Sequence, residues 1–372
     1  MPDSISFARG APCPEALSGD LIADCARAAL DADAVRLLSY GTGSGYPPLR
    51  EVLAAEHGVT PDRVFVTNGS LQGFVFLLES ILEPGDLVAV ESPTYDRALL
   101  QLKLHDMEVL PIPVEDDGLS VEALEAAIAA GRVPKLLYTI PNFQNPSGTT
   151  LSGERREMLL ELAERWGAII VDDDPYGRLR FAGDAQPGFA EIAPRHPLVF
   201  QVRTFSKVIA PGLRTGWIDV APEIRALAIN AKQAMDTCSN VPTQRALAHY
   251  LSTDHLDTHV NRLKPVYRER KEAMRAALDR HFGNRALSTD PEGGLFLWLS
   301  FTGDLAGIDT EILFPEALRE GVAYIPGAAF TVDSSMRNAL RLCFATSTPD
   351  RIEVGVARLS RAVHTAHEAA HS

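Results

Sequence analysis

The segment TFSKVIAPGLRTGW, residues 204–217, places one lysine, Lys207, among small hydroxyl side chains and apolar residues. A lysine in such a place either covers apolar surface with its alkyl stem or serves as a reactive amine. An amine that attacks a carbonyl must be neutral part of the time, and apolar surroundings and a nearby cation both lower its pKa. Arg214, seven residues further on, is a candidate for that cation. Lys207 is therefore a candidate nucleophile.

A second segment, TNGSLQG at 67–73, joins an expected strand to an expected helix. The backbone N–H groups at a helix N-terminus bind anions, and Ser70 adds a hydroxyl there. Thr204, Ser206 and Arg214 could bind the same anion. The alternative is an ordinary turn built on Asn-Gly.

Three adjacent acids, 172–174, follow a fully apolar stretch. Like charges repel, so these carboxylates are expected to have a partner, which could be a metal ion, a cationic ring nitrogen or, in a solvated loop, water alone. No histidine or second acidic cluster lies near in sequence, which disfavours a metal.

Tyr95 could stack on a flat ligand, or be an ordinary half-buried tyrosine. Asn145, in an Asn-Pro turn, could donate a hydrogen bond. Together these groups suit a phosphorylated aromatic ring that carries an aldehyde.

Apolar strands alternate with helices through the middle of the chain, which predicts a mostly parallel sheet covered on both faces. Ligand-binding residues of such sheets gather at the carboxyl ends of the strands, where the groups above fall. The expected strands are 62–67, 86–91, 135–140, 168–174, 198–205 and 216–221, and the expected helices are 71–82, 121–131 and 152–167.

The C-terminal part differs, with an expected long helix at 260–282 and expected strands of a separate small sheet at 293–301 and 339–346. We predict an N-terminal segment, 1–35, that packs with a small C-terminal domain, 265–372, and a large domain, 36–264, that binds the ligand. Three histidines in the last turns, His364, His367 and His371, have helical spacing. They are expected to be solvated rather than to bind a metal.

The formal net charge of −14 disfavours binding to nucleic acids or to anionic membranes. Four scattered cysteines without a CxxC pair predict neither disulfides nor a zinc site and fit a reducing cytoplasm. The N-terminus lacks the pattern of a signal peptide, and no apolar run reaches the roughly 18 residues of a membrane helix. We therefore expect a cytoplasmic location.

The order and spacing of these motifs resemble the fold-type I pyridoxal-phosphate enzymes, specifically the class I/II aminotransferases. Within them the sequence is most similar to the kynurenine/2-aminoadipate aminotransferase group, which is related to the enzyme-like half of MocR-type regulators. The resemblance runs from ISFARGAPCPEAL near the start to LRLCFATSTPD near the end. It implies an α/β fold with a large, mostly parallel central sheet and a smaller α+β domain, and it implies pyridoxal 5′-phosphate as cofactor.

The resemblance also implies roles for single residues. Lys207 would bond to the cofactor aldehyde and move the proton at the substrate Cα. Asp173 would pair with the ring nitrogen, and Tyr176 and Asn145 would hydrogen-bond the ring oxygen. Tyr95 would stack on the ring. The phosphate would be bound by Ser70, the Leu71 backbone, Thr204 and Arg214.

The same resemblance implies roles for two further residues. Arg341 resembles the arginine that binds the substrate α-carboxylate, together with Asn145. Tyr40, in LLSYGTGSGYPPLR, resembles the tyrosine that reaches the phosphate of a neighbouring subunit, which implies a homodimer with shared active sites.

Some positions depart from the family pattern. Leu71 stands where a glutamine is common, so only its backbone can serve the phosphate. Arg9 stands where a glycine is common, and it either enters the substrate pocket, favouring an acidic or polar substrate side chain, or lies on the surface. Asp172 stands where a glutamate is commoner. Either Asp173 or Asp174 could face the ring, and the spacing to Tyr176 favours Asp173.

The expected activity is a ping-pong transfer of an amino group from an α-amino acid to a 2-oxo acid, with 2-oxoglutarate or pyruvate as acceptor. The same residues also suit a lyase, a decarboxylase or an oxidase of this fold. A regulatory domain that senses the cofactor is a third possibility, which the absence of a basic helix-turn-helix extension disfavours.

Overall fold

The computed structural model describes residues 4–371 of the chain. The strands of this part are β1 Ile5–Ser6, β2 Val64–Thr67, β3 Leu87–Ser92, β4 Glu108–Glu115, β5 Gly118–Leu119, β6 Leu136–Thr139, β7 Ile169–Asp173, β8 Val199–Thr204, β9 Gly216–Asp219, β10 Ala286–Ser288, β11 Phe296–Phe301, β12 Val322–Ala323, β13 Ile325–Pro326 and β14 Ala339–Cys343.

The helices of the same residues are α1 Gly19–Ala32, α2 Ala34–Leu38, α3 Pro47–Glu56, α4 Ser70–Ile81, α5 Asp96–Leu104, α6 Val121–Ala129, α7 Gly153–Trp166, α8 Phe189–Ile192, α9 Pro222–Met235, α10 Val241–Leu251, α11 His255–Phe282, α12 Thr310–Arg319 and α13 Pro349–His371. Within residues 4–371, no helix is long and apolar enough to cross a bilayer.

The large sheet has eight strands in the order β2-β9-β8-β7-β6-β3-β4-β5. Its five central strands, from β8 to β4, run parallel to one another. Strand β9 runs antiparallel to both β8 and β2, so the chain between β8 and β9 turns back directly. The mostly parallel sheet that the sequence predicts is confirmed, and its carboxyl ends share one edge.

Both faces of this sheet are buried because successive side chains of a strand point to opposite sides. On β6, Leu136 and Tyr138 join one apolar core, which includes Phe74 of α4. Leu137 joins the core on the other face, which includes Leu159 of α7. A strand buried on both faces must be apolar along its whole length, and this explains why β6 has no polar–apolar alternation.

A smaller antiparallel sheet has the order β10-β11-β14-β13, and its neighbour α11 packs against α13. This arrangement confirms the predicted α/β fold with a second, smaller α+β part. Strand β1 pairs with β12 beside this small sheet, whereas α1 packs against α10. Residue 265, where we placed the start of the small domain, lies inside α11. The domain boundaries stay a prediction.

The predicted helices and strands all occur, with ends shifted by a few residues. The largest shift is in α11, which begins at His255 rather than at residue 260. The histidines of α13 have acidic neighbours: His364 Nε2 lies 3.1 Å from Glu368 Oε1, and His367 Nε2 lies 3.9 Å from Asp304 Oδ2. The side chain of His371 lies outside the described residues.

Candidate active site

A cavity of about 180 Å³ opens at the carboxyl edge of the large sheet. Its walls come from the loops that follow β2, β3, β6, β7 and β8, as expected for a parallel sheet. The structure brings nine of the predicted site residues into its lining: Ser70, Leu71, Tyr95, Asn145, Asp173, Tyr176, Thr204, Lys207 and Arg214.

Lys207 follows β8, and its Nζ donates a hydrogen bond to the carbonyl oxygen of Gly10 at 2.6 Å. The pKa of this lysine is lowered to about 8, mainly by burial; the cations Arg341 and Arg214 contribute to the lowering, and Cys343 and Asp173 oppose it. An amine with this pKa is neutral for roughly a tenth of the time at pH 7. Arg214, the cation that the sequence suggests, lowers the pKa of Lys207, but Arg341 lowers it more.

Asp173 is the acid of the triplet that lines the cavity. Its Oδ2 accepts a hydrogen bond from the Tyr138 hydroxyl at 2.7 Å. Its Oδ1 is buried and has no hydrogen-bond partner among the described residues. Burial raises the pKa of Asp173 to about 7, and the effects of Tyr138 and Arg203 oppose this rise. A buried acceptor without a partner costs free energy, so Oδ1 is prepared for a donor that enters the cavity.

The other two acids of the triplet have structural partners. Asp172 forms a salt bridge with Arg203 at 2.8 Å. Asp174 accepts hydrogen bonds from Asn142 Nδ2 at 2.7 Å and from the Gly177 backbone N–H at 2.7 Å. The triplet is therefore divided among three different partners, and this division relieves the charge repulsion that the sequence suggests.

The first turn of α4 forms one end of the cavity. Gly69 precedes it with a φ of 92°, in the left-handed region that favours glycine. A Cβ at this position would lie 2.6 Å from Arg214 Nη2, so the loop and the guanidinium approach each other closely. The Thr204 hydroxyl donates to Ser206 Oγ at 2.9 Å beside them. A helix N-terminus together with an arginine and hydroxyls forms an anion site.

Arg341 of β14 borders the same cavity through Asn145. Its Nη1 donates to Asn145 Oδ1 at 2.7 Å, and its Nη2 donates to the Ala8 carbonyl at 2.7 Å. The guanidinium lies over the rings of Phe296, at 4.1 Å, and Phe330, at 5.0 Å. The aromatic faces fix its plane, a geometry suited to binding a carboxylate through two hydrogen bonds.

Two predicted residues lie away from the cavity walls of the single chain. Tyr40 is 89% exposed. Arg9 is also exposed, although its neighbour Gly10 contacts Lys207. Arg9 therefore lies exposed beside a residue of the site, and its contact with a substrate stays a prediction.

Sequence reasoning missed a buried acid, Glu91, at the end of β3. Burial raises its pKa to about 7. The carboxylate accepts hydrogen bonds from Thr139 Oγ1 at 2.6 Å and from Gln144 Nε2 at 3.0 Å. Gln144 also donates to the Pro93 carbonyl at 2.7 Å, so one side chain joins the turns that present Tyr95 and Asn145. A charged residue that ends an otherwise apolar strand is the signal that could have identified Glu91.

The fold and the cavity together are typical of an enzyme of amine and carbonyl chemistry, with a buried lysine, a helix N-terminus beside an arginine, and a buried acid around one cavity. The chain belongs to the aminotransferase class I and II family, whose model matches residues 2–359. It is a pyridoxal-phosphate-dependent aminotransferase.

Proteins of known name agree with this assignment. The chain is 36% identical to the aromatic-amino-acid aminotransferase 1 of Thermococcus litoralis, over 97% of this chain and 88% of the relative. It is 35% identical to the 2-aminoadipate transaminase of Thermus thermophilus, over 97% of this chain and 90% of the relative. The crystal structure of the α-aminoadipate aminotransferase of Thermus thermophilus, complexed with N-(5′-phosphopyridoxyl)-L-leucine, superposes with a TM-score of 0.93 at 34% identity, covering 98% of this chain and 92% of that one.

Proposed function

We propose that the cavity binds pyridoxal 5′-phosphate and that the enzyme transfers the amino group of an α-amino acid to a 2-oxo acid, with 2-oxoglutarate or pyruvate as acceptor, in a ping-pong reaction. One observation carries this proposal: the unpartnered Oδ1 of Asp173 shares a cavity with Lys207 and the α4 anion site. These three features match the ring nitrogen, the aldehyde and the phosphate of that cofactor. When bound, the cofactor supplies an electron sink that stabilises negative charge at the substrate Cα.

The cavity residues then have distinct tasks. Asp173 Oδ1 accepts a hydrogen bond from the protonated ring nitrogen and keeps that proton in place. The Lys207 amine, held partly neutral by burial, would hold the cofactor at its aldehyde carbon with release of water, and would take and return the proton at the substrate Cα. Asn145 and Tyr176 bind the ring oxygen, and Tyr95 packs against the ring face. The phosphate is bound by Ser70, the Leu71 backbone, Thr204 and Arg214.

Arg341 binds the substrate α-carboxylate and thereby aims the Cα–H bond at Lys207. The relatives act on aromatic amino acids and on 2-aminoadipate, so we propose an amino donor with a long or aromatic side chain. In this proposal Arg9, exposed beside Gly10, meets the acidic end of such a side chain. A cytoplasmic location remains part of the proposal.

We also propose a homodimer in which Tyr40 completes the phosphate site of the partner subunit. Tyr40 is 89% exposed, and its neighbours Val35 and Leu38 are 78% and 75% exposed. Large apolar side chains exposed together in one segment are typical of an interface. Light scattering at micromolar concentration should give twice the chain mass, and a monomer with full activity would contradict shared sites.

The lysine is tested by reduction of the cofactor adduct. Protein mixed with pyridoxal phosphate, reduced with borohydride and digested, should carry one pyridoxyl group, which mass spectrometry places on Lys207. The Lys207→Ala variant should carry no pyridoxyl group. The control variant Lys103→Ala, which replaces an exposed lysine, should still carry it. Labelling of another lysine in the wild type would refute the assignment.

The reaction is tested with single amino acids and no oxo acid. An aminotransferase should release one 2-oxo acid per bound cofactor and then stop, because the amino group stays on the enzyme. The amino acids that give this single turnover define the donor class. Continued release of carbon dioxide, hydrogen peroxide or ammonia would instead indicate a decarboxylase, an oxidase or a lyase.

A further inference from the structure

A polar cluster lies behind the anion site, outside the cavity lining. Lys232 of α9 is completely buried, with a side-chain exposure of 0%. Its Nζ donates to Asp236 Oδ1 at 2.8 Å and to Oδ2 at 2.9 Å. The carboxylate of Asp236 also accepts from Gln72 Nε2 at 2.9 Å and from Asn68 Nδ2 at 2.7 Å. The Asp236 side chain is half-buried, with 24% of its surface exposed. An ion pair that buries a lysine completely is weak support for stability, so this cluster calls for another explanation.

The cluster holds Asn68, the residue before Gly69, through hydrogen bonds to its side chain and its backbone. The Asn68 side chain donates to Asp236, and its backbone N–H donates to Gln72 Oε1 at 2.8 Å. Its carbonyl accepts from Arg214 Nη2 at 3.1 Å. The backbone of Asn68 is thus held on both sides, and the guanidinium is attached to it.

We infer that Asp236 is a positioning residue for the anion site. Through Asn68, Asp236 fixes the start of α4 and the Arg214 guanidinium relative to each other, so that both face a single anion. Lys232 neutralises Asp236, which would otherwise repel an anion bound nearby. Preorganised donors bind more tightly because they lose no freedom on binding. The inference rests on the proposed function, in which the anion is the cofactor phosphate.

The test measures equilibrium binding of two probes, pyridoxal phosphate and inorganic phosphate, to the full-length protein freed of cofactor. Asn68→Ala removes the direct hydrogen bond from the loop to Asp236 and leaves the ion pair and the hydrogen bonds of Gln72 intact. The double variant Lys232→Met, Asp236→Asn removes the pair without leaving a buried charge unpaired. Asn261→Ala, at an exposed asparagine of α11, is the matched control.

We expect Asn68→Ala and the double variant to lose about tenfold in affinity for both probes, the change of one hydrogen bond to a charged group. The ³¹P chemical shift of bound pyridoxal phosphate should move, while KM for the amino acid at saturating cofactor and the melting temperature of Asn68→Ala stay close to those of the wild type. Asn261→Ala should match the wild type throughout.

Affinities within twofold of the wild type, or a lowered melting temperature with unchanged affinity and ³¹P shift, would refute the inference and leave a packing role for the cluster. The two probes separate its failure from that of the proposed function. If the wild type binds inorganic phosphate but not pyridoxal phosphate, the proposed cofactor is wrong, and the phosphate data still decide the role of Asp236. If the wild type binds neither probe, both proposals fail.

Discussion

Replacing Asp173 by asparagine should change how the stability of the cofactor-free protein depends on pH. Burial raises the pKa of this acid from 3.8 to about 7 in the folded protein. The folded state therefore holds the Asp173 proton more tightly than the unfolded state does. This contribution to the free energy of unfolding is complete below about pH 3.8 and disappears as the pH rises through 7. Asp173→Asn removes the titrating group and hence this loss.

The size of the effect follows from the width of the pH window. From about pH 5 to pH 7 the folded protein keeps the proton and the unfolded protein does not, and each pH unit there costs ~1.4 kcal/mol. The wild type should thus lose roughly 2 to 3 kcal/mol more than Asp173→Asn between about pH 5 and pH 8. Glu91, whose pKa burial also raises to about 7, is present in both proteins and acts in the same direction in each.

Urea denaturation of both cofactor-free proteins at these two pH values measures the difference. Adding pyridoxal phosphate should abolish it in the wild type, because a cationic ring nitrogen lowers the pKa of Asp173. Equal pH dependence of the two cofactor-free proteins would show that Asp173 is ionised at neutral pH without cofactor. The raised pKa of about 7, on which this prediction depends, would then be wrong.

Three further changes test other parts of the site. Arg341→Gln should raise KM for the amino acid more than tenfold in steady-state assays and raise the pKa of Lys207 in a pH titration of cofactor attachment, because a cation that lowers it is gone. Unchanged KM would place the α-carboxylate elsewhere. Gly69→Ala should weaken inorganic phosphate binding at least tenfold by calorimetry, since its φ is 92° and its Cβ would crowd Arg214 Nη2; wild-type affinity would mean that the loop adapts freely. Glu91→Gln should lower the free energy of unfolding by about 2 kcal/mol in urea, because an amide supplies one acceptor fewer to its donors; no loss would make that network dispensable.

The sequence predicted the large sheet and most of the cavity because both depend on local patterns. Apolar strands followed by polar loops identify the carboxyl edge of a parallel sheet. Strand β4 was not predicted, because Pro111 and Pro113 interrupt its pattern. These prolines are tolerated because β4 lies next to the end of the sheet. Other elements also went unpredicted: the helices α1, α2, α3, α5, α8, α9, α10 and α12 and the short strands β1, β5, β10, β12 and β13.

Contacts between distant segments explain what the sequence left open. The spacing to Tyr176 favoured Asp173 over Asp174 without excluding either, and their partners, Tyr138 and Asn142, distinguish them in the fold. The larger cationic effect on Lys207 comes from Arg341, far along the chain. No local signal links these residues, because tertiary packing alone brings them together.

The first residues of the chain contribute directly to the cavity border. The carbonyls of Ala8 and Gly10 accept hydrogen bonds from Arg341 and Lys207, so three remote parts of the chain meet there. During synthesis, N-terminal segments emerge first, and Arg341 leaves the ribosome well after Lys207 and the first turn of α4. A nascent chain therefore has the lysine and the anion site before it has the arginine. If Arg341 binds the substrate carboxylate as proposed, productive binding of an amino acid must wait until Arg341 has been synthesised.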